Sequence, residues 1–273
     1  MAGPNKYWSL DDVPWDRFDP SKVDPEIVEI VKAAALVEFN GGTYTAYLEG
    51  VFAGDEEFRG AAIQWGAEEV QHGRALARWA KLADPAFDFE DAFARFSDKI
   101  TLPVGLDASV RGSRCGELVA RCMVEVGTSS YYSALRDTVD EPVLRDICRR
   151  IAQDEIRHYG LFYRHMCRYV RIEGLSRLER MRVALARIGE SEDDELAYAF
   201  HSANRADQPY DRKRCRDAYM KRAWRCYKPD HVERATTLIL KAVGLKPPGR
   251  VARVTARAAR AVIDFRTNHL AAA

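Results

Sequence analysis

Two Glu-x-x-His tetrapeptides, Glu69-Val70-Gln71-His72 and Glu155-Ile156-Arg157-His158, constrain this chain more than any other feature. At three-residue spacing on a helix, the carboxylate and the imidazole project from one face toward one spot. Upstream of each pair stands a lone acid in apolar surroundings: Glu38 within Ala35-Leu36-Val37-Glu38-Phe39, and Glu125 within Cys122-Met123-Val124-Glu125-Val126. Burying such a carboxylate without a partner is costly, so each calls for one. The intervals of 31 residues (38 to 69) and 30 residues (125 to 155) equal one helix, a tight connection and half of the next helix. That geometry returns the chain antiparallel at the same height, so the six side chains are expected to share one level of a helical bundle.

The apolar pattern supplies the helices. Ile27, Val28, Val31, Ala34, Ala35 and Val37, continued by Tyr44, Tyr47, Leu48 and Val51, predict one helix from Pro25 to a stop at Gly54. A second is expected over about 56–82, with Ile63, Trp65, Val70, Leu76 and Trp79 inward, ended by Asp84-Pro85. Residues 84–113 read as a crossover packed on the bundle with one short helix. A third helix is expected over about 114–138 and a fourth over about 142–172, opened by Pro142. From Ser176 onward four or five shorter helices are expected, interrupted near Gly189, Gln208-Pro209, Lys228-Pro229 and Lys246-Pro247-Pro248-Gly249. No useful strand pattern appears, so the class is all-α. The division is an arm at 1–24 holding Pro4, Pro14 and Pro20, a four-helix bundle at 25–175 and a C-terminal helical extension at 176–273.

Four Glu and two His form the ligand set of di-iron carboxylate bundles. Carboxylate with imidazole suits iron or manganese, and a set without thiolates argues against structural zinc. Glu68 and Asp154 precede the ligand glutamates and lie four residues before His72 and His158, where each is placed to accept the free ring N–H of its own histidine.

The segments Trp65-Gly66-Ala67-Glu68-Glu69-Val70-Gln71-His72-Gly73 and Ile151-Ala152-Gln153-Asp154-Glu155-Ile156-Arg157-His158 resemble the W-x-A-E-E-x-x-H-G and I-A-x-D-E-x-R-H helices of the soluble acyl-acyl-carrier-protein desaturases, within the ferritin-like superfamily. Glu125-Val126-Gly127-Thr128 resembles that family's helix with a threonine one turn after a ligand glutamate. The likeness spans roughly residues 30–170. It implies a ferritin-like bundle with two iron ions, or a Mn/Fe pair, that takes electrons from a ferredoxin-like donor, binds O2 and abstracts hydrogen from an acyl chain on acyl carrier protein. A homodimer is the family's usual state. The chain departs from the pattern in its shorter length, in Gln71 where the family has Arg, and in the compressed interval from Glu38 to Glu69. Ile151 stands four residues before Glu155, where the related arylamine N-oxygenases carry a further histidine.

Other residues keep two readings. Thr128, Ser129 and Tyr132 share the Glu125 face, for hydrogen bonding to oxygen or for packing. Trp65 is a stepping stone for electrons or a core residue. Gly41 and Gly42 leave room for a substrate or for a close helix contact. His165, His201, His231 and His269 fit no second ligand set. Arg250, Arg253, Arg257, Arg260 and Arg266 beside Val251, Val254, Ala258, Val262 and Phe265 make a basic amphipathic helix, for an acidic partner or for solvent.

A net charge of +1 offers no general case for nucleic acid. The start MAGPNKYWSL carries no apolar signal region and no stretch approaches a membrane span, so a cytoplasmic protein is expected. The cysteines at 115, 122, 148, 167, 215 and 226 show no metal-knuckle spacing and read as reduced core thiols. With neither a dinucleotide fingerprint nor an iron–sulfur cysteine cluster, electrons must come from outside. An O2-activating oxidoreductase acting on a hydrophobic, acyl-type substrate is the first expectation; a ferroxidase-like or metal-holding bundle is the second.

Overall fold

Each long helix begins where a polar side chain accepts one of its first free backbone N–H groups. Asp24 takes Glu26 N at the start of α1 (Pro25–Phe39), and Asp55 takes Phe58 N at the start of α3 (Glu56–Ala83). Ser113 takes Gly116 N at α5 (Arg114–Arg136), and Glu141 takes Leu144 N at α6 (Pro142–Glu173). Gly174, at φ 73°, closes α6 in the left-handed conformation that glycine tolerates. The remaining helices are α2 (Gly41–Val51), α4 (Phe89–Lys99), α7 (Arg177–Glu190), α8 (Asp194–Asn204), α9 (Arg212–Arg225) and α10 (Pro229–Ala242). The computed structural model describes residues 7–190 and 194–245, with residues 254, 257 and 261, and every regular element among them is helical. The arm forms three 3-10 turns, Leu10–Asp12, Trp15–Arg17 and Pro20–Lys22.

One boundary differs from expectation. The helix read as continuous from Pro25 to Val51 is two helices meeting at Asn40, which has φ −72° and ψ 0°. Asn40-Gly41-Gly42 are weak helix formers, and the apolar pattern runs across them without registering the break. Of the basic C-terminal run, Val254 and Arg257 are exposed; the other residues named there, and His269, lie outside the described residues.

Two apolar clusters give the helices their directions. One holds Ile27–Leu36 positions of α1, Ala75–Ala80 of α3, Tyr131–Leu135 of α5 and Val143–Ala152 of α6. The other holds Tyr47–Phe52, Phe58–Trp65, Cys115–Val126 and Tyr159–Tyr169 positions. The first rod (α1 with α2) and α6 therefore run from the first cluster to the second, while α3 and α5 both run from the second to the first. Two successive rods in the same direction require a crossover along the bundle, and residues 84–113 with α4 supply it. Helices α8 and α9 pack on α1, and α7 and α10 pack on α5, adding Phe200, Tyr219 and Cys226 to the first cluster and Ala184 and Ala242 to the second.

The α1–α2 rod meets α3 at glycine contacts. A Cβ on Gly73 would stand 2.6 Å from Phe39 N, and one on Gly41 would stand 2.4 Å from Glu69 Cβ. Gly41 thus serves close packing, whereas Gly42 is exposed and faces nothing within 4 Å. Because Gly73 abuts backbone, Gly73→Ala is expected to destabilise the fold by about 1–3 kcal/mol, read as a fall of roughly 3–10 °C in Tm by thermal melting, while Gly42→Ala leaves Tm unchanged or slightly higher.

Candidate metal centre

The level at which the two apolar clusters part is where the predicted ligands meet. Glu38 ends α1, Glu69 and His72 sit mid-way along α3, Glu125 on α5, and Glu155 and His158 on α6. All six are buried, His72 and Glu155 completely. One oxygen or nitrogen from each of Glu38, Glu69, His72 and Glu155 forms a group within 4.8 Å, and one from each of Glu69, Glu125, Glu155 and His158 forms a second. Glu69 and Glu155 belong to both, as ligands shared by two ions would.

The local distances suit coordination. His72 Nδ1 lies 3.2 Å from Glu155 Oε1 and 3.6 Å from Glu38 Oε2. His158 Nδ1 lies 3.0 Å from Glu69 Oε1, 3.6 Å from Glu125 Oε2 and 3.8 Å from Glu155 Oε2. Neighbouring donors on one cation with bonds near 2.1 Å stand about 3 Å apart. Glu38 Oε2, Glu69 Oε1, His72 Nδ1, Glu125 Oε2, Glu155 Oε1 and His158 Nδ1 are each buried without a hydrogen-bond partner. Orphan atoms of this kind are rare in folded proteins, and one from each of six converging residues fits a shared cationic partner.

The outward atoms of His72, His158, Glu155 and Glu38 each have a hydrogen-bond partner, and for the histidines it is not the one expected. Glu68 and Asp154 do orient the histidines, but across the bundle. His72 Nε2 donates to Asp154 Oδ2 at 3.0 Å, and His158 Nε2 donates to Glu68 Oε2 at 2.9 Å. Four-residue spacing predicts pairing within one helix; instead each imidazole, on α3 or on α6, meets the acid carried by the other helix. Arg157 ties the two acids together, donating to Glu68 at 2.9 Å and to Asp154. Each ring thereby keeps Nδ1 for the centre. Burial acts to raise both acids, but their hydrogen-bond donors, His158 and Gln64 for Glu68 and His72 for Asp154, hold them below ordinary carboxyl values.

The arm contributes a residue that spacing could not reveal. Trp8 stacks on His72 with ring centroids 6.0 Å apart and planes 8° from parallel, and its Nε1 donates to Asp154 Oδ2 at 2.6 Å. Gln71 Nε2 donates to Trp8 O at 2.9 Å and so helps to seat the arm. Thr128 Oγ1 donates to Glu155 Oε2 at 2.7 Å, and Tyr132 OH donates to Glu38 Oε1 at 2.6 Å. Ser129 turns to the carbonyl of Val126. Trp65 packs edge-on against Phe162 at 5.4 Å within the second cluster, with Nε1 buried and unpartnered. Ile151 is fully buried. His165, His201 and His231 lie outside the centre, His231 paired with Asp137 at 2.9 Å. The cysteines are all free thiols, five of them buried.

So much buried acid titrates abnormally. Burial and the Glu155 charge push Glu125 up to about 8, and burial with Glu155 and Glu38 raises Glu69. Burial also opposes ionisation of Glu155, but His158 and His72 outweigh it and hold that carboxyl low. Burial disfavours the imidazolium of both histidines, yet the surrounding carboxylates raise them well above 6.5.

For Glu69, Glu125, His72 and His158 the folded value exceeds the unfolded one, so their stabilising protons are fully held below the ordinary values of 4.5 and 6.5 and are lost as pH climbs through the folded values, near 8 for Glu125. Glu155 acts oppositely, contributing above 4.5 and losing its contribution as pH falls. Without divalent ions, Tm is therefore expected to fall by at least about 3 °C between pH 6 and pH 9 in calorimetry. Fe(II) or Mn(II) should bind more tightly across that window because bound protons must leave. Asp154→Asn or Glu68→Gln should weaken metal binding roughly 10–100-fold in competition titrations. No known family model matches the chain and no curated protein sequence matches it, so the reading of this centre rests on its own side chains.

Proposed function

We propose that this chain is a ferritin-like four-helix protein that holds a carboxylate-bridged pair of iron ions and uses O2 to oxidise a hydrophobic, acyl-type substrate by desaturation or hydroxylation. The observation that carries the reading is the convergence of six orphaned donor atoms, one per predicted ligand, between two apolar clusters. The single long crossover between two co-directional helices supports the ferritin-like assignment.

Glu38 and His72 would hold one ion, Glu125 and His158 the other, with Glu69 and Glu155 shared between them. Iron so held supplies two-electron chemistry with dioxygen, and Mn/Fe is an alternative pair. The chain's own groups prepare the place for it. Asp154 and Glu68 fix the imidazole planes, while the Thr128 and Tyr132 hydroxyls hold protons against Glu155 Oε2 and Glu38 Oε1. The flanking apolar clusters exclude water from the level between them. Trp8, partly exposed and stacked on His72, links the surface to the centre for an external, ferredoxin-like reductant. Acyl carrier protein is a candidate carrier, a homodimer a candidate assembly and the cytoplasm a candidate compartment; no helix among the described residues is long and apolar enough to cross a membrane.

A second reading, a ferroxidase-like or metal-holding protein without organic substrate, draws on one observation. The two described cavities have none of the six ligand residues in their walls.

Reconstitution with Fe(II), chemical reduction and admission of O2 over a panel of acyl substrates, with products identified by mass spectrometry, separates the two. Oxidised acyl product, abolished in folded Glu125→Ala and His158→Ala, is expected; iron oxidation with unaltered substrate would favour the second reading. Trp8→Phe is expected to keep iron content and slow reduction of the centre in stopped-flow absorbance.

A further inference from the structure

A cavity of about 470 Å³ opens between α2, α5, the 100–111 connection and the α7–α8 pair, and Arg121 in its α5 wall is one helical turn from Glu125. That volume is within the range of small-molecule sites. Glu117, Arg121 and Glu125 follow at four-residue intervals on α5, so Arg121 presents to the cavity the face that carries a metal ligand about 6 Å further along the axis. Ile100, Leu102 and Val110 give the cavity an apolar side.

The acids in its wall are already engaged. Glu117 accepts the hydroxyls of Tyr47 at 2.9 Å and Ser109 at 2.8 Å. Glu190 accepts Arg111 on both oxygens, at 2.6 and 2.5 Å. Glu195 accepts the Tyr44 hydroxyl at 2.9 Å, and Asp194 accepts that of Tyr210 and faces Arg212 at 3.6 Å.

Two of the arginines are not so placed. Arg121 is only 6% exposed, lies over the Tyr44 ring at 4.7 Å and approaches Glu117 only to 3.7 Å. Its Nε is buried without an acceptor, and the guanidinium donates no hydrogen bond among the described residues. Arg187 has no ion pair within 4 Å and no hydrogen bond among the described residues; burial and the Arg121 charge lower its basicity, and Tyr44 and Glu195 only partly offset them. Buried donors left unmade are costly, and a planar guanidinium fork matches the two oxygens of a carboxylate.

We propose that this cavity binds the carboxylate of a free organic acid carrying an apolar tail or ring, held by Arg121 and Arg187, and that such an acid is the molecule presented to the metal centre. The binding half stands on the cavity alone; the substrate half rests on the oxidase reading above. A carrier-bound thioester has no carboxylate to offer, so the cavity selects the free acid.

Calorimetric titration of the full-length, iron-loaded chain with decanoate and benzoate, against decanol, benzyl alcohol and decyl phosphate, tests this without reductant or O2. The acids are expected to bind at least tenfold more tightly than the alcohols, and Arg187→Gln to weaken them roughly tenfold or more at unchanged iron content. Arg187→Lys should restore only part of the loss, because the point charge lacks the fork. Arg121→Gln should act likewise, and Arg187, nearer the surface, keeps the test open if Arg121→Gln does not fold. Alcohols binding as well as acids, tighter binding of the phosphate, or unchanged affinity in Arg187→Gln would overturn the proposal. Failure of oxidation would leave the titration standing. Oxidation of a thioester with KM unaltered in Arg187→Gln would sink this proposal and spare the oxidase.

Discussion

The structure depends on neutralising a layer of buried charge. Four carboxylates and two imidazoles occupy a level of the bundle where an ordinary protein would place apolar side chains. Burying that much acid unpaired is prohibitive, so the fold is intelligible only with cations, or with protons in their place, at the centre. Much else follows. The apolar core is divided in two, the α1–α2 rod approaches α3 through glycine, and the outer ring nitrogens of His72 and His158 are held by acids on the opposite helix.

The outer ring makes the centre a property of the whole bundle. Crossed bonds from His72 to Asp154 and from His158 to Glu68, tied by Arg157, mean that neither Glu-x-x-His helix can shift without disturbing the ring orientation on the other. Through Trp8 and Gln71 the arm joins the same network, so a segment without long helices becomes part of the centre's wall. Buried polar networks of this kind specify one arrangement strongly when every member is satisfied.

Much of this was legible in the amino-acid order because ligand spacing and helix period are local. Glu69 with His72, and Glu155 with His158, announce themselves at i and i+3, and the long helices stop close to where caps and glycines say they should. What escaped depends on relations between elements. The crossed pairing of Asp154 and Glu68 is set by how α3 and α6 are rotated against each other, which no spacing within either helix encodes. Trp8 is 146 residues from its acceptor Asp154. The arginine-lined cavity is assembled from segments as far apart as Tyr44 and Arg212. The break at Asn40 was hidden because the apolar pattern continues through it.

The most direct measurement is diffraction from crystals of the iron-loaded protein, collected on both sides of the iron absorption edge. The account predicts two anomalous peaks about 3.5–4 Å apart, one beside Glu38 and His72 and one beside Glu125 and His158, with Glu69 and Glu155 in contact with both. A single peak, or iron bound elsewhere while these six side chains pair only with one another, would contradict it.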